Sequence, residues 1–264
     1  MSDATETRVY MPPSLRRYRP LRVPRWQWNE NLALAYDLVE ALEPRLVAGL
    51  GMHWGATYYA ICQSVLENDL DTLCYAISRW KEPRGSYGGN DLHDNFVSYG
   101  RDLYNGFSYV LRWGPMRGLR HFSDNSVDLI HLGEYFEGTE LTENVANIMH
   151  AWLAKLRPGG VMFVHDLGPE GTRSRDLWAQ WTDEHDTFTL EDETVLGLLR
   201  KRGDGGGRQA PLLEMLFSKD AAQQQQMRDL YTHATHYLHI QDRVDANQFG
   251  RMRTGDTGKG DTEV

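Results

Sequence analysis

The stretch AGLGMHWGAT at residues 48–57 places a glycine-rich turn between two runs of different character. The residues before it, at 45–50, are mostly apolar as in a buried strand, and those after it, at 55–67, have the length and composition of a helix. A strand, a glycine-rich loop and a helix in this order are typical of a nucleotide-binding unit. Such loops normally carry a carboxylate that holds the nucleotide, and this one carries none. The stretch therefore predicts an α/β domain whose ligand loop has lost its usual acidic group.

Outward from this loop, strand-like and helix-like runs alternate along the chain. Strands are predicted at 45–50, 72–78, 107–113, 126–132 and 161–166, with two adjacent strand-like runs at 186–190 and 194–201. Helices are predicted at 29–42, 55–67, 142–156, 174–185 and 218–240, and the segment 81–96 is polar and glycine-rich. The pattern predicts a doubly wound α/β domain with a mostly parallel seven-stranded sheet and an antiparallel edge hairpin. Ligands bind at the carboxyl ends of the strands in such sheets.

The two ends of the chain differ in composition from the part between them. Residues 1–25 are basic and proline-rich, which predicts an extended arm, and residues 26–202 form the predicted α/β domain. Residues 203–249 are predicted to hold a mobile glycine loop and a C-terminal helix, and residues 250–264 a disordered tail.

Composition excludes several classes of function. The net charge is −9, which disfavours general binding to nucleic acid or to an anionic membrane. Cys62 and Cys74 have no metal or redox spacing and are expected to be buried thiols in a reducing compartment. No apolar run approaches the length of a membrane span, and the N-terminus has no signal-peptide core. A cytoplasmic protein with a small-molecule substrate is therefore expected.

Four stretches resemble one known family. GLGMHWGATY, CYAISRWK, HFSDNSVDLIHL and WLAKLRPGGVMFVHD are similar to the class I S-adenosylmethionine (SAM)-dependent methyltransferases, and most of all to a bacterial subgroup linked to glycan or natural-product tailoring. The resemblance covers roughly residues 30–200. It implies a Rossmann-like methyltransferase fold, SAM as cofactor, and O-methylation of a small natural-product or sugar substrate.

The resemblance also implies three acidic positions that this chain does not keep. An acid two residues before the first loop glycine should hold the amino-acid end of the cofactor, and here this residue is Gly49. An acid at the end of the second strand should accept both ribose hydroxyls, and one at the end of the fourth strand should face the substrate and the methyl group; here these residues are Ser78 and Gly133. The cofactor-binding positions carried over by the resemblance are Gly49, Gly51, His53, Gly55, Ser78 and Gly133. A hydrogen bond to a charged group contributes about 1.5–3 kcal/mol, and each 1.4 kcal/mol changes affinity about tenfold. Loss of three acids thus predicts SAM binding weakened by orders of magnitude, unless other side chains replace them.

A second set of polar residues lies at the predicted strand ends. The candidate catalytic residues are His131, Glu134, His165 and Asp166, and His53 lies in the loop beside them. Three imidazoles and two carboxylates could form a general acid/base cluster or a metal site. Their spacing matches no metal motif, so no metal ligands are assigned and dependence on a divalent metal stays open.

Three functions follow from these observations. The first is a divergent SAM-dependent O-methyltransferase in which His165 or Asp166 helps to deprotonate the acceptor. The second is a methyltransferase-fold enzyme that has lost methyl transfer and catalyses cyclisation, elimination or isomerisation through His131, Glu134, His165 and Asp166. The third is a non-catalytic subunit that forms a homo-oligomer or binds a paralogous partner, with its cofactor cavity filled by side chains.

Overall fold

The structure is a computed structural model that describes residues 10–21, 31–52, 54–80, 92–133, 141–191, 195–205 and 207–254, without the side chains of 141–144 and 239–254. The helices are α1 (Pro13–Arg17), α2 (Leu32–Leu42), α3 (Ala56–Glu67), α4 (Leu92–Tyr104), α5 (Pro115–Gly118), α6 (Leu141–Leu153), α7 (Arg173–Glu184), α8 (Pro211–Leu216) and α9 (Ala221–Thr254). The strands are β1 (Leu46–Leu50), β2 (Leu73–Ile77), β3 (Ser108–Leu111), β4 (Val127–Leu132), β5 (Leu156–Val164), β6 (Asp186–Glu191) and β7 (Val195–Arg200). None of the helices in these ranges has an apolar stretch long enough to cross a membrane.

The strands form one seven-stranded sheet in the order β3-β2-β1-β4-β5-β7-β6. Strands β1 to β5 pair in parallel, whereas β7 is antiparallel to both β5 and β6. The prediction of a doubly wound, mostly parallel seven-stranded sheet with an antiparallel edge hairpin is confirmed. Because the chain reverses its direction of winding after β3, the carboxyl ends of β1 and β4 lie side by side, where ligands bind in such folds.

Apolar side chains on the two faces of the sheet form two cores. On one face, Val47 and Leu129 pack with helices α2, α3, α8 and α9. On the other, Ala48 and Ile130 pack with α6 and α7, and Trp152 of α6 is fully buried there. The alternation of neighbours in β1 and β4 between the two cores follows from the two-residue period of a strand, and buried parallel strands are apolar on both faces.

Two helices besides α1 were not predicted, and one strand is longer than predicted. Helix α4 lies partly in the segment taken as polar and glycine-rich, because its few apolar residues, such as Phe96 and Tyr104, are enough to bury one face. Helix α8 lies just after the predicted mobile loop, and Pro211 at its first turn is favourable for a helix start. Strand β5 begins at Leu156, before the predicted start at 161, and pairs with β4 through a register shift.

The predicted extended arm needs a correction at residues 13–17, which form the short helix α1. The backbone N–H and the hydroxyl of Ser14 donate to the carboxylate of Asp37 on α2 at 2.7 and 2.5 Å. Asp37 also accepts a hydrogen bond from the hydroxyl of Tyr231 on α9, at 3.0 Å. Asp37 is buried, and its hydrogen bonds connect the arm and the C-terminal helix to α2. Helix α9 itself extends to Thr254, past the predicted boundary at 250.

Substitution Ser14→Ala is expected to lower the free energy of unfolding by about 1–2 kcal/mol, because it removes one hydrogen bond to a buried carboxylate. Chemical denaturation monitored by circular dichroism measures this change. Ser98→Ala is the matched control, since the Ser98 hydroxyl is exposed and donates to the carbonyl of Asn95 in its own helix. Equal stability of Ser14→Ala and the wild type would show that α1 is not held by this bond.

Candidate functional site

The carboxyl ends of β1, β4 and β5 converge through their register. Gly49 of β1 pairs with His131 of β4, and His131 pairs with Phe163 of β5. Backbone hydrogen bonds continue past the strand ends, from Gly133 N–H to the Leu50 carbonyl at 2.8 Å and from His165 N–H to the Leu132 carbonyl at 2.9 Å. The sheet therefore brings the predicted loop and the predicted histidine positions to one edge.

Two glycines of the loop have a left-handed backbone conformation. Gly51 has φ 68° and Gly55 has φ 85°, a region that glycine adopts without strain, and α3 starts directly after Gly55. A Cβ atom at Gly55 would lie 2.4 Å from the ring of Phe96 on α4. The predicted loop residue His53 lies outside the described residues.

The three positions that are acidic in the resembling family are occupied in different ways. A Cβ atom on Gly49 would lie 2.8 Å from the ring of Tyr58 and 3.3 Å from the sulfur of Met52. A Cβ atom on Gly133 would lie 2.7 Å from the carbonyl oxygen of Gly51. At the third position, the Ser78 hydroxyl accepts a hydrogen bond from the backbone N–H of Trp80 at 3.3 Å. These residues do not fit SAM as a carboxylate-anchored cofactor.

Aromatic side chains pack beside the loop on the α3 and α4 side. The rings of Trp80 and Phe96 lie 5.2 Å apart, and those of Tyr59 and Phe96 lie 5.1 Å apart and stacked. Trp80 is buried with φ 46°, a backbone conformation unusual for a residue other than glycine. Sequence reasoning missed the role of Phe96 because α4 was not predicted. The spacing of Phe96, Gly100 and Tyr104, four residues apart each time, was the available signal for one helical face.

His131 is the most unusual polar residue at this edge. Its side chain is buried, and neither ring nitrogen has a hydrogen-bond partner among the described residues. Burial, with a smaller contribution from the neighbouring His165, lowers the pKa of His131 to about 3. A buried polar atom without a partner costs about 1–3 kcal/mol. The imidazole is therefore neutral at physiological pH, and neither of its ring nitrogens is hydrogen-bonded to any residue that the structure describes.

His165 lies next to His131 in the structure, whereas the carboxylate of Asp166 takes part in a turn. The two imidazole rings lie 6.5 Å apart at a steep angle, and His165 is buried. Asp166 is exposed, and its carboxylate accepts a hydrogen bond from the Gly168 N–H at 2.7 Å, which closes the turn after β5. The remaining predicted catalytic residue, Glu134, lies outside the described residues. Where side chains are described, no group of three or more histidine, cysteine or acidic residues is placed to hold a metal ion.

Asp128 lies near the amino end of β4, and its role was not predicted. It stabilises the strands that carry the candidate site. Its buried carboxylate accepts hydrogen bonds from the backbone N–H groups of Arg45 and Leu46 at 2.9 and 2.8 Å. It also forms an ion pair with the guanidinium of Arg157 on β5. One side chain therefore joins the starts of β1, β4 and β5, the strands that carry Gly49, His131 and Phe163.

Comparison with known proteins shows which domain the described sheet edge resembles. Residues 49–167, which are less than half of the chain, match the family model described as a methyltransferase domain. An uncharacterized protein of Sinorhizobium fredii, y4gI, is 29% identical over 179 residues, which cover 67% of this chain and 19% of that protein. The chain thus spans about a fifth of the length of this relative.

Solved structures with the same fold include two methyltransferases. The O-methyltransferase TomG of Streptomyces achromogenes, in complex with SAM, has a TM-score of 0.50 and 12% identity, covering 69% of this chain and 82% of its own. A Podospora anserina methyltransferase with SAH bound has a TM-score of 0.50 and 10% identity, covering 66% and 78%. The resemblance to the class I SAM-dependent methyltransferases is confirmed, and the domain is methyltransferase-like.

Proposed function

We propose that this methyltransferase-like domain binds a small molecule at the carboxyl edge of β1, β4 and β5 and moves protons on it through His131 and His165. The observation that carries the proposal is the contrast between two sets of positions. The three acidic positions are lost and two of them are filled, whereas two buried imidazoles remain side by side at the same edge. A sheet edge that has lost the acids for a cofactor but keeps two neighbouring imidazoles is suited to acid/base chemistry.

The two histidines have different roles in this proposal. With its pKa held low by burial, His131 stays a neutral imidazole, which can donate a hydrogen bond to a substrate oxygen but accepts a proton poorly. His165 is then the proton acceptor, and it returns the proton to a second substrate atom. Cyclisation, elimination and isomerisation all need one proton removed and one delivered, so this pair covers the reaction classes expected from the sequence.

O-methylation of a small natural-product or sugar substrate is the second candidate function. The positive φ values of Gly51 and Gly55 favour it, because a glycine-rich turn between a strand and a helix is typical of a nucleotide-binding unit. TomG, whose fold is shared, is an O-methyltransferase in complex with SAM, which makes SAM the cofactor to test first. In this candidate His165 would take the proton of the acceptor hydroxyl.

Calorimetric titration with SAM and with SAH separates the two candidates. The proposal predicts no binding heat at millimolar concentrations of either compound. Micromolar binding would contradict it and would favour the methyl-transfer candidate, because it would show replacement contacts for the lost acids.

A thermal-shift screen of sugars and polyhydroxylated natural products tests the positive side of the proposal. A ligand found for the wild type should lose its stabilising effect in His131→Gln and His165→Gln. His236→Gln is the matched control, because His236 is an exposed histidine on α9. A ligand that still stabilises both His131→Gln and His165→Gln binds elsewhere, and the histidine pair would then have no part in binding it.

A further inference from the structure

We infer that the site for the amino-acid end of SAM has been rebuilt and closed in this chain, so that restoring carboxylates at Gly49 and Gly133 cannot restore the cofactor. This inference goes beyond the proposed function, because it holds whatever chemistry the two histidines perform. It rests on the difference between the three positions: Gly49 and Gly133 have no room for any side chain, whereas Ser78 already carries one.

The Gly49 position is closed by side chains that cannot move away easily. Tyr58 is fully buried in the first turn of α3, and its hydroxyl is 2.8 Å from the hydroxyl of Ser108 on β3. Both ends of the ring are thus fixed, one by the helix and one by this hydrogen bond. Met52 is buried beside it, with its terminal carbon 3.2 Å from the position of a Gly49 Cβ. Close packing of this kind gives way only at the cost of strain elsewhere in the core.

The Gly133 position is closed by backbone, which can yield even less. A Cβ there would meet the carbonyl oxygens of Gly51 and Leu50 at 2.7 and 3.2 Å. Hydrogen bonds fix both segments: Gly133 N–H donates to the Leu50 carbonyl at 2.8 Å, and Gly51 N–H donates to the Ile77 carbonyl at 3.0 Å. The ends of β1 and β4 are therefore in direct contact at the position where the family that the sequence resembles has an acidic side chain.

Ser78 differs from Gly49 and Gly133, because its position still has space for a side chain. Its side chain is accommodated at the end of β2, and its hydroxyl makes a local hydrogen bond to the Trp80 N–H. A carboxylate oxygen can accept that same bond, so an aspartate there meets no comparable obstacle. The closed part of the site is the part near Gly49, Gly51 and Gly133, where the resemblance places the amino-acid end of the cofactor and the methyl group.

Alanine substitutions test the closure, since alanine adds only the Cβ atom. Melting temperatures should fall for Gly49→Ala and Gly133→Ala, with a fall of about 5 °C or more at Gly133, given the usual strain of overpacking in a domain of this size. Gly106→Ala is the matched control, because a Cβ at Gly106 has no atom within 4 Å. Unchanged melting temperatures for both Gly49→Ala and Gly133→Ala would overturn the inference.

Ser78→Asp tests the cofactor part with a variant that is expected to fold. It restores the acid that would face the ribose, yet calorimetry should still detect no binding of SAH at millimolar concentration. Binding of SAH by Ser78→Asp would overturn the inference, because the amino-acid end would then have room. Binding of SAH by the wild type would also reject the proposed function, whereas normal stability of the two alanine variants would reject only the closure.

Discussion

The variant Asp128→Ala is expected to lose about 3–5 kcal/mol of unfolding free energy, the usual effect of removing one partner of a buried charged pair. The carboxylate accepts two backbone N–H groups at the start of β1 and pairs with Arg157 on β5. Without it, Arg45 N–H and Leu46 N–H lose their acceptor, and the partly buried guanidinium of Arg157 loses its counter-charge. The three strands that present the site would then lose their common anchor.

Urea denaturation of the wild type and of Asp128→Ala measures this loss directly. Asp124→Ala is the matched control: Asp124 also pairs with a basic residue, Lys155, but it is exposed, so no measurable loss is expected. An Asp128→Ala variant as stable as Asp124→Ala would show that the strand starts are held by apolar packing alone. Amide hydrogen exchange at Arg45 and Leu46 provides a second reading, because both amides should exchange faster in the variant.

The sheet could be predicted because its strands carry strong local signals. Buried parallel strands such as β1 and β4 are continuous apolar runs, and the two antiparallel runs after α7 are separated by a short polar segment. Helix α4 carries a weak signal, since most of its residues are polar and only one narrow face is buried. The helix in the arm is stabilised by Asp37, a residue far along the chain, which no local pattern could show.

The features of the candidate site also divide into those that could be predicted from the sequence and those that could not. The vacated acids at Gly49, Ser78 and Gly133 could be predicted by register with the resembling family, because they lie at fixed offsets from predicted strand ends. The groups that occupy the space of the lost acidic side chains could not be predicted. Tyr58 lies against Gly49 only because α3 packs on the sheet, and Gly51 lies against Gly133 only because their strands pair. The proximity of His131 and His165 was predictable from neighbouring strands, but the burial of His131 without a partner depends on the packed core.

Two buried groups are expected to drive the pH dependence of stability in opposite directions. Burial raises the pKa of Asp37 to about 6, above its unfolded value of about 4, so the folded state binds the proton more tightly. The stability that Asp37 contributes is therefore full at low pH and falls as the pH rises from about 4 to 6. For His131 the pKa of about 3 lies below the unfolded value of about 6.5, so its contribution is full above that value and is lost as the pH falls.

These opposite slopes nearly cancel in the wild type, so each must be measured by difference from a variant. His131→Leu is expected to be about 1 kcal/mol more stable than the wild type at pH 7, because it removes two buried nitrogens that have no partner in the described part of the chain. Its advantage should grow by about 3 kcal/mol at pH 4, where only the wild-type unfolded chain gains a proton at residue 131.

Urea denaturation of both proteins at several pH values between 4 and 7 measures this difference, and Asp37→Asn serves as the opposite control. Its free energy relative to the wild type should become less favourable as the pH falls, because it lacks the carboxyl that gains a proton in the folded state. Parallel curves for His131→Leu and the wild type would mean that the folded protein protonates His131 as easily as the unfolded chain does. The imidazole would then be open to solvent, and its role as a neutral hydrogen-bond donor would fail along with the assignment of proton transfer to His165.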